Sequence, residues 1–365
     1  MTDALSPITF NTLKNWSNTD LEMSLRVFQR SAHEILSTAS GFRRSAAFGG
    51  TRAQWQMACE QALHAKDAHQ FFEEHFTPLR VHDDQRPEGL FTGYYEPIVS
   101  GSKQQDPRFP VPVYDKPTDL VSFTEDEVKT LGLAYGRRVD GKAEAYATRQ
   151  IIETEGLAGK ANIICWLSNW VDAFFMHVQG QGRVTFEDGS VLRLSYAGKT
   201  GHPYTGIGHY LVQQGHIAKA EMSMQTLRTW MQHNPEQAST LMWQNKSYIF
   251  FQATKVDDAT LGGVGAAKVN LTPGYSLAVD RAHWMFGTPM WIETTLPPEF
   301  STAQPHINRL MLAQDTGSAI KGKVRGDFYW GWGADAETIA GHMKSAGTMT
   351  ALVPNAVARS LTNVS

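Results

Sequence analysis

RLMLAQDTGSAIKGKVRGDFYWG, Arg309 to Gly331, joins an apolar run that ends at Asp315 to a second that opens at Asp327, through a glycine-spaced turn. RLMLAQD and DFYWG are short apolar segments bounded by turn residues, the pattern of buried strands. The two aspartates stand twelve residues apart. Gly317, Gly322 and Gly326 let backbone approach closely, and Lys321, Tyr329, Trp330 and Trp332 crowd the same stretch. A third carboxylate, Asp280, ends another strand-like run, YSLAVD. Strand-end aspartates commonly cap turns. Aromatic faces beside a carboxylate equally suit a sugar, with its apolar C–H faces and rim of hydroxyls. Both readings stay open at this level.

Outward from this stretch the pattern is mainly β with a helical N-terminal segment. Helical spacing starts at Asp20 and returns over Gln54 to His75, which must stop near Thr77-Pro78. After Glu88 come LFTGYYEPIVSG, FPVPVY and RVTFEDGSVLRLSYAG, the last with an Asp188-Gly189 hairpin turn. SYIFFQ, PMWIET and MTALVP add further strands, with helices expected at 148–157, 207–214, 223–232 and 336–345, the last capped by Asp335. Loop-rich stretches, 101–117 and 256–273, bracket the middle section and predict one domain inserted into another.

With 365 residues the chain suits two domains. A net charge of -3 and the lack of any run of five Lys/Arg argue against nucleic acid as a partner. Cys59 and Cys165 stand in no metal-like or disulfide-like spacing. The first residues, MTDALSPITFNTLKNW, carry no basic-then-apolar leader pattern, and a leader removed ahead of Met1 would leave the same sequence.

Three motifs invite other chemistry. Asp315-Thr316-Gly317-Ser318 resembles one half of an aspartic protease site, yet that chemistry needs two such turns sharing a proton, and only one D-T-G occurs. His202, His209 and His216 recur every seven residues, about 10 Å apart on one helix and too far to share an ion. Arg325-Gly326-Asp327 spells an adhesion tripeptide of almost no specificity. Better candidates for substrate contact are Tyr94 and Tyr95 in GYYEP, the segment Gln179, Gly180, Gln181, Gly182 and Arg183, and Lys321 and Tyr329 beside the aspartates.

LAVDRA, QDTGSAIKG and RGDFYWG together resemble the three-aspartate signature called the 3D domain. FTGYYEP, FFMHVQGQGRV, GHPYTGIG, MSMQ and NKSYIFF resemble the rest of the membrane-bound lytic murein transglycosylase A (MltA) family, and the likeness runs from about Gly89 to Pro354. It implies a double-psi β-barrel built from 1–105 and 248–365 around an inserted smaller β-barrel domain at 106–247, with a substrate groove between them. It implies an exo-acting lytic transglycosylase that cleaves the β-1,4 bond between N-acetylmuramic acid and N-acetylglucosamine in peptidoglycan, leaving a 1,6-anhydromuramic end. The alternatives are a non-catalytic glycan-binding barrel and an inverting glycoside hydrolase on the same fold.

Position for position, the family's acid/base falls on Asp327, with Asp315 in support and Asp280 structural. Two departures stand out: the family's usual Gln-Gly-Ser-Gly is Gln179-Gly180-Gln181-Gly182 here, and its D-x-G-G is Asp315-Thr316-Gly317-Ser318. The expected partners are peptidoglycan glycan strands and cell-wall machinery proteins, for a monomer without cofactor or metal. The expected location is the periplasm, with outer-membrane association in the family; Cys59 lies too deep to be a lipid-acceptor cysteine.

Overall fold

The two runs around the aspartates form the strands His306–Asp315 and Arg325–Trp332, and Ser276–Val279 lies between them, parallel to the first and antiparallel to the second. These belong to a computed structural model that describes residues 4–83, 88–255, 258–297 and 306–362. Val256, where the second bracketing stretch begins, lies outside the described residues. The fold is mostly β with some helices, and the chain divides into two compact units, 1–94 with 260–365, and 95–259.

In the first unit six strands follow one another around a ring: Gly89–Glu96, Arg325–Trp332, Ser276–Val279, His306–Asp315, Pro289–Thr295 and Lys344–Pro354. Lys344–Pro354 closes it, pairing through Lys344–Gly347 with Gly89–Thr92. Its far half pairs with Phe76–Val81, which carries the short edge strand Leu5–Pro7. Gly347 sits where the ring is tightest: a Cβ there would come within 2.3 Å of the Glu293 carbonyl oxygen. We expect Gly347→Ala to destabilise the unit by about 1–3 kcal/mol, read as a lower urea midpoint; an unchanged midpoint would show that the ring relaxes around the methyl group.

One side of the ring packs on the helices Glu22–Ser37, Arg52–Ala62 and Ala68–His75, and Trp16, Trp55, Trp284 and Trp291 are all buried there. The single helix predicted over 54–75 is broken because the Asp67 side chain accepts the Gln70 N–H at 2.9 Å and starts a new helix. The helix predicted over 336–345 is instead Ala334–His342, with Gly333 at its cap and Asp335 in its first turn, since Ser345 is taken by ring pairing with Phe91.

The second unit has a six-stranded sheet in the order Ile249–Thr254, Val191–Lys199, Gln181–Thr185, Ile98–Ser102, Ile163–Leu167 and Val111–Tyr114. Asp188-Gly189 does turn the hairpin between its second and third strands. Helices Arg149–Glu155, Gly208–Gln213 and Met224–His233 lie where periodicity predicts them. Trp170–Gln179 and Pro235–Trp243 escape the periodicity: the first is apolar nearly all round and so has no amphipathic stripe to read.

Candidate active site

Ala278 is the pivot. It pairs with Asp315 on one side and Asp327 on the other, so the two aspartates flank it on neighbouring strands and share its face of the sheet. Tyr329 lies two residues beyond Asp327 on that face, buried with its ring 5.3 Å from that of Tyr94. The opposite face, through Phe91, Leu277, Val279 and Phe328, belongs to the core.

Asp315 reaches this face because the ladder slips there: Ala313 pairs with Leu277, but the next partner, Ala278, faces Asp315. Gln314 is the extra residue of a β-bulge, a device that re-aims a side chain at the cost of a local break in pairing. The bulge is pinned. Fully buried, the Gln314 amide donates to the Ser31 hydroxyl at 2.9 Å and the Val27 carbonyl at 3.2 Å, and accepts from the Ser276 hydroxyl at 2.6 Å. This explains the Ala-Gln before Asp315 where a plain buried strand would carry apolar residues. Gln314→Leu leaves these buried groups short of partners and is expected to cost about 1–3 kcal/mol per orphaned group, measured by urea unfolding; a loss below that range would leave the bulge without its pin.

The two carboxyl groups are surrounded unequally. Asp315 accepts three donors: the Tyr94 hydroxyl at 2.9 Å, the Ala266 N–H at 3.0 Å and the Thr316 N–H at 2.9 Å. Asp327 accepts one, the Thr92 hydroxyl, on Oδ1; among the described residues Oδ2 takes none. Each is half-buried. Burial pushes the Asp327 carboxyl up, against the Arg325 cation and the Thr92 hydrogen bond. Burial also raises Asp315, opposed by its three donors and assisted by the nearby charge of Asp327. Burial, then the Asp315 charge, pushes the Tyr94 hydroxyl far up, so it remains a donor.

Asp280 does other work. It is buried, and its oxygens accept the Ala282 and Gly322 N–H groups at 3.0 Å each, tying the 316–324 turn to the strand Ser276–Val279. Burial acts to raise this carboxyl, but these bonds and Lys321, 3.7 Å away, together hold it below the ordinary range. Lys321 is largely exposed.

Of the expected contact residues, Tyr94, Asp315, Asp327 and Tyr329 come together in the first unit. Lys321 belongs to the first unit too, beside Asp280, and Tyr95, Gln179, Gly180, Gln181, Gly182 and Arg183 lie in the second. Gln179 ends a helix, Gly180 terminates it at φ 72°, and 181–185 is a strand. The Gln179 side-chain oxygen Oε1 accepts the Tyr95 N–H at 3.1 Å, and Tyr95 is buried. Gln181 is buried, Gly182 packs so tightly on Met176 that a Cβ would meet its sulfur at 2.7 Å, and Arg183 donates to buried Glu96 at 2.6 Å. His202, His209 and His216 have separate neighbours, the Tyr146 carbonyl, the Gly206 carbonyl and the Trp230 ring.

Sequence reasoning missed Thr92, Arg325 and the 260–274 loop that supplies Ala266. The loop's signal was Gly262, Gly263 and Gly265; a Cβ on Gly262 would meet the Tyr329 hydroxyl at 2.2 Å. Arg325 was visible only within an adhesion-like tripeptide, and Thr92 only as the neighbour of GYYEP.

Two family models match the chain: the MltA specific insert domain over residues 90–252 and the 3D domain over 275–353. It is 33% identical over 254 residues to membrane-bound lytic murein transglycosylase A of Escherichia coli K12, covering 69% of this chain and 62% of that protein. The aligned stretch thus spans less than two thirds of the relative's length. Among solved structures, the membrane-bound lytic murein transglycosylase of Agrobacterium tumefaciens superposes with a TM-score of 0.88 at 32% identity, covering 98% of this chain and 99% of that one. MltA of Neisseria gonorrhoeae gives 0.79 at 31%, covering 96% and 92%. E. coli MltA with bound chitohexaose gives 0.69 at 25%, covering 97% and 95%.

Proposed function

Because the chain belongs to the membrane-bound lytic murein transglycosylase A family, we propose that it cleaves the β-1,4 bond between N-acetylmuramic acid and N-acetylglucosamine of peptidoglycan without water, using Asp327 as the single acid and base. The observation that carries this is the unequal setting of the two carboxyls. Asp315, with three donors, is the better solvated anion. Burial raises both carboxyls, and Asp327, with one donor against three, is the better acid near neutral pH. Two carboxyls so placed also resist ionising together.

A hydrolase divides acid, base or nucleophile between two carboxyls; a transglycosylase of this kind can work with one. Protonated Asp327 gives its proton to the glycosidic oxygen as the C1–O4 bond breaks. The C6 hydroxyl oxygen of the muramic residue then bonds to C1, and its proton passes to the Asp327 carboxylate, which restores the acid. Holding the C6 hydroxyl beside C1 makes the attack intramolecular. Asp315 supports by fixing Tyr94 and the 260–274 loop beside Asp327. The strand ring, with the parallel pairing of Ser276–Val279 and His306–Asp315, supports a double-psi β-barrel, and the match at 90–252 supports an inserted domain. The chitohexaose bound by E. coli MltA and the murein named in the relatives support peptidoglycan as substrate and the periplasm as location. Among the described residues no helix is long and apolar enough to cross a membrane.

Digestion of purified sacculi is expected to release muropeptides one water lighter than hydrolytic products, carrying no oxygen-18 when run in labelled water. Incorporated label would replace this mechanism by inverting hydrolysis. Binding without any product would leave a glycan-binding barrel.

A further inference from the structure

We propose that Arg325 and Thr92 form a one-way hydrogen-bond relay that holds Oδ1 of Asp327 and leaves Oδ2 as the oxygen that gives up and takes back the proton. Both are positioning residues, and the role assigned to them rests on Asp327 being the acid and base.

Arg325 and Asp327 are two apart on one strand and so share a face, while Gly326 between them turns its bare Cα to the core, where a Cβ would meet Leu277 and Phe91 at 3.0 Å. Thr92 lies on the neighbouring ring strand, between the two side chains. Arg325 Nη2 donates to Thr92 Oγ1 at 2.7 Å, and Thr92 Oγ1 donates to Asp327 Oδ1. The direction is fixed by valence: a guanidinium only donates, and a hydroxyl has one proton to pass on. The guanidinium is held in turn by the Leu90 carbonyl at 3.3 Å and the Gly326 carbonyl, so it is not free to swing onto the carboxylate.

Two consequences follow for the reaction. In the neutral acid, Oδ1 is already an acceptor, so the proton resides on Oδ2. Once it has left, the new negative charge meets a hydroxyl polarised by a cation, and Oδ2 stays open to receive the C6 proton. The other groups facing the carboxyl are Tyr94 on the strand of Thr92 and Asp315 across Ala278; exposed Lys344 pairs with Thr92 at the ring closure. None of these can replace the relay, because Tyr94 is committed to Asp315.

The test compares Thr92→Val, Thr92→Ser and Arg325→Met with the parent enzyme on sacculi across pH, with urea midpoints as a folding control. Thr92→Val is expected to lower kcat by about 10- to 100-fold, the worth of a hydrogen bond to a charged group, with KM little changed. Its alkaline limb moves to higher pH, because the carboxylate has lost a donor. Arg325→Met moves the limb the same way, and Thr92→Ser restores both rate and limb. A fall in rate with an unmoved limb, or no rescue by serine, makes these residues structural and overturns the relay. Titrating the Asp327 carboxyl by carbon-13 NMR in the parent and in Thr92→Val reads the relay without the reaction. An unshifted titration overturns it even if sacculi are cleaved, whereas a shifted one beside a parent that makes no anhydro product sinks the reaction and keeps the relay.

Discussion

Asp327→Asn is expected to lower the release of anhydromuropeptides by about 10²- to 10⁴-fold, the usual share of a positioned acid and base. The amide has the shape of the acid but no proton to give and no lone-pair charge to take one back, so both halves of the cycle stop. Glycan binding should persist, since the side chain keeps its size. The same substitution makes the fold more stable in alkali, and the sign can be worked out. Burial raises the affinity of the folded carboxyl for its proton above that of the unfolded chain. Such a group contributes stability that is complete below about pH 4, the unfolded value, and is lost as pH climbs through the folded value. Asp327→Asn does not titrate, so its urea midpoint should match the parent in acid and exceed it at pH 8. Asp315→Asn should reduce the rate less and weaken the fold, because it leaves three donors with a poorer acceptor. A lower residual rate in Asp315→Asn than in Asp327→Asn would reverse the roles assigned to the pair.

Glu96→Ala is the largest expected loss of stability. Glu96 is fully buried and lies 2.6 Å from Arg183 Nε and 3.5 Å from Arg193 Nε, both arginines being buried as well. Removing the carboxylate strands two cations that have given up their hydration, which costs about 3–5 kcal/mol. Replacing Glu96, Arg183 and Arg193 together by apolar residues of similar volume should cost much less, since a buried ion pair gains little over good packing. Urea unfolding of the single and triple variants separates the two effects. A single-variant loss below 1 kcal/mol would mean that water reaches the arginines in place of the carboxylate.

Much of this protein was legible before any coordinates. Strands at YSLAVD, RLMLAQD and DFYWG follow from apolar runs closed by turn residues, and the hairpin at Asp188-Gly189 follows from the turn chemistry of that dipeptide. Where local signals failed, a tertiary competitor won. Asp67 began a second helix inside a continuous helical pattern, and ring closure took Ser345 from a predicted helix. In the site, the residue types were readable and their partners were not. Tyr94 looked like a sugar platform, but it is buried and its hydroxyl serves Asp315. Arg183 looked like a substrate contact, but its guanidinium serves Glu96.

The sequence by itself determined which residues could do chemistry: aspartates at strand ends, glycines that admit close backbone, aromatics beside them, and the order of motifs that defines the family. Only the tertiary structure decided how the aspartates share the work. In a strand, alternate residues face opposite sides, and one extra residue reverses the side on which all later ones lie. The bulge at Gln314 is that extra residue. It brings Asp315 level with Ala278 and Asp327, and no local pattern announces it, because its anchors come from Ser31, Val27 and Ser276, at least 38 positions away in the chain.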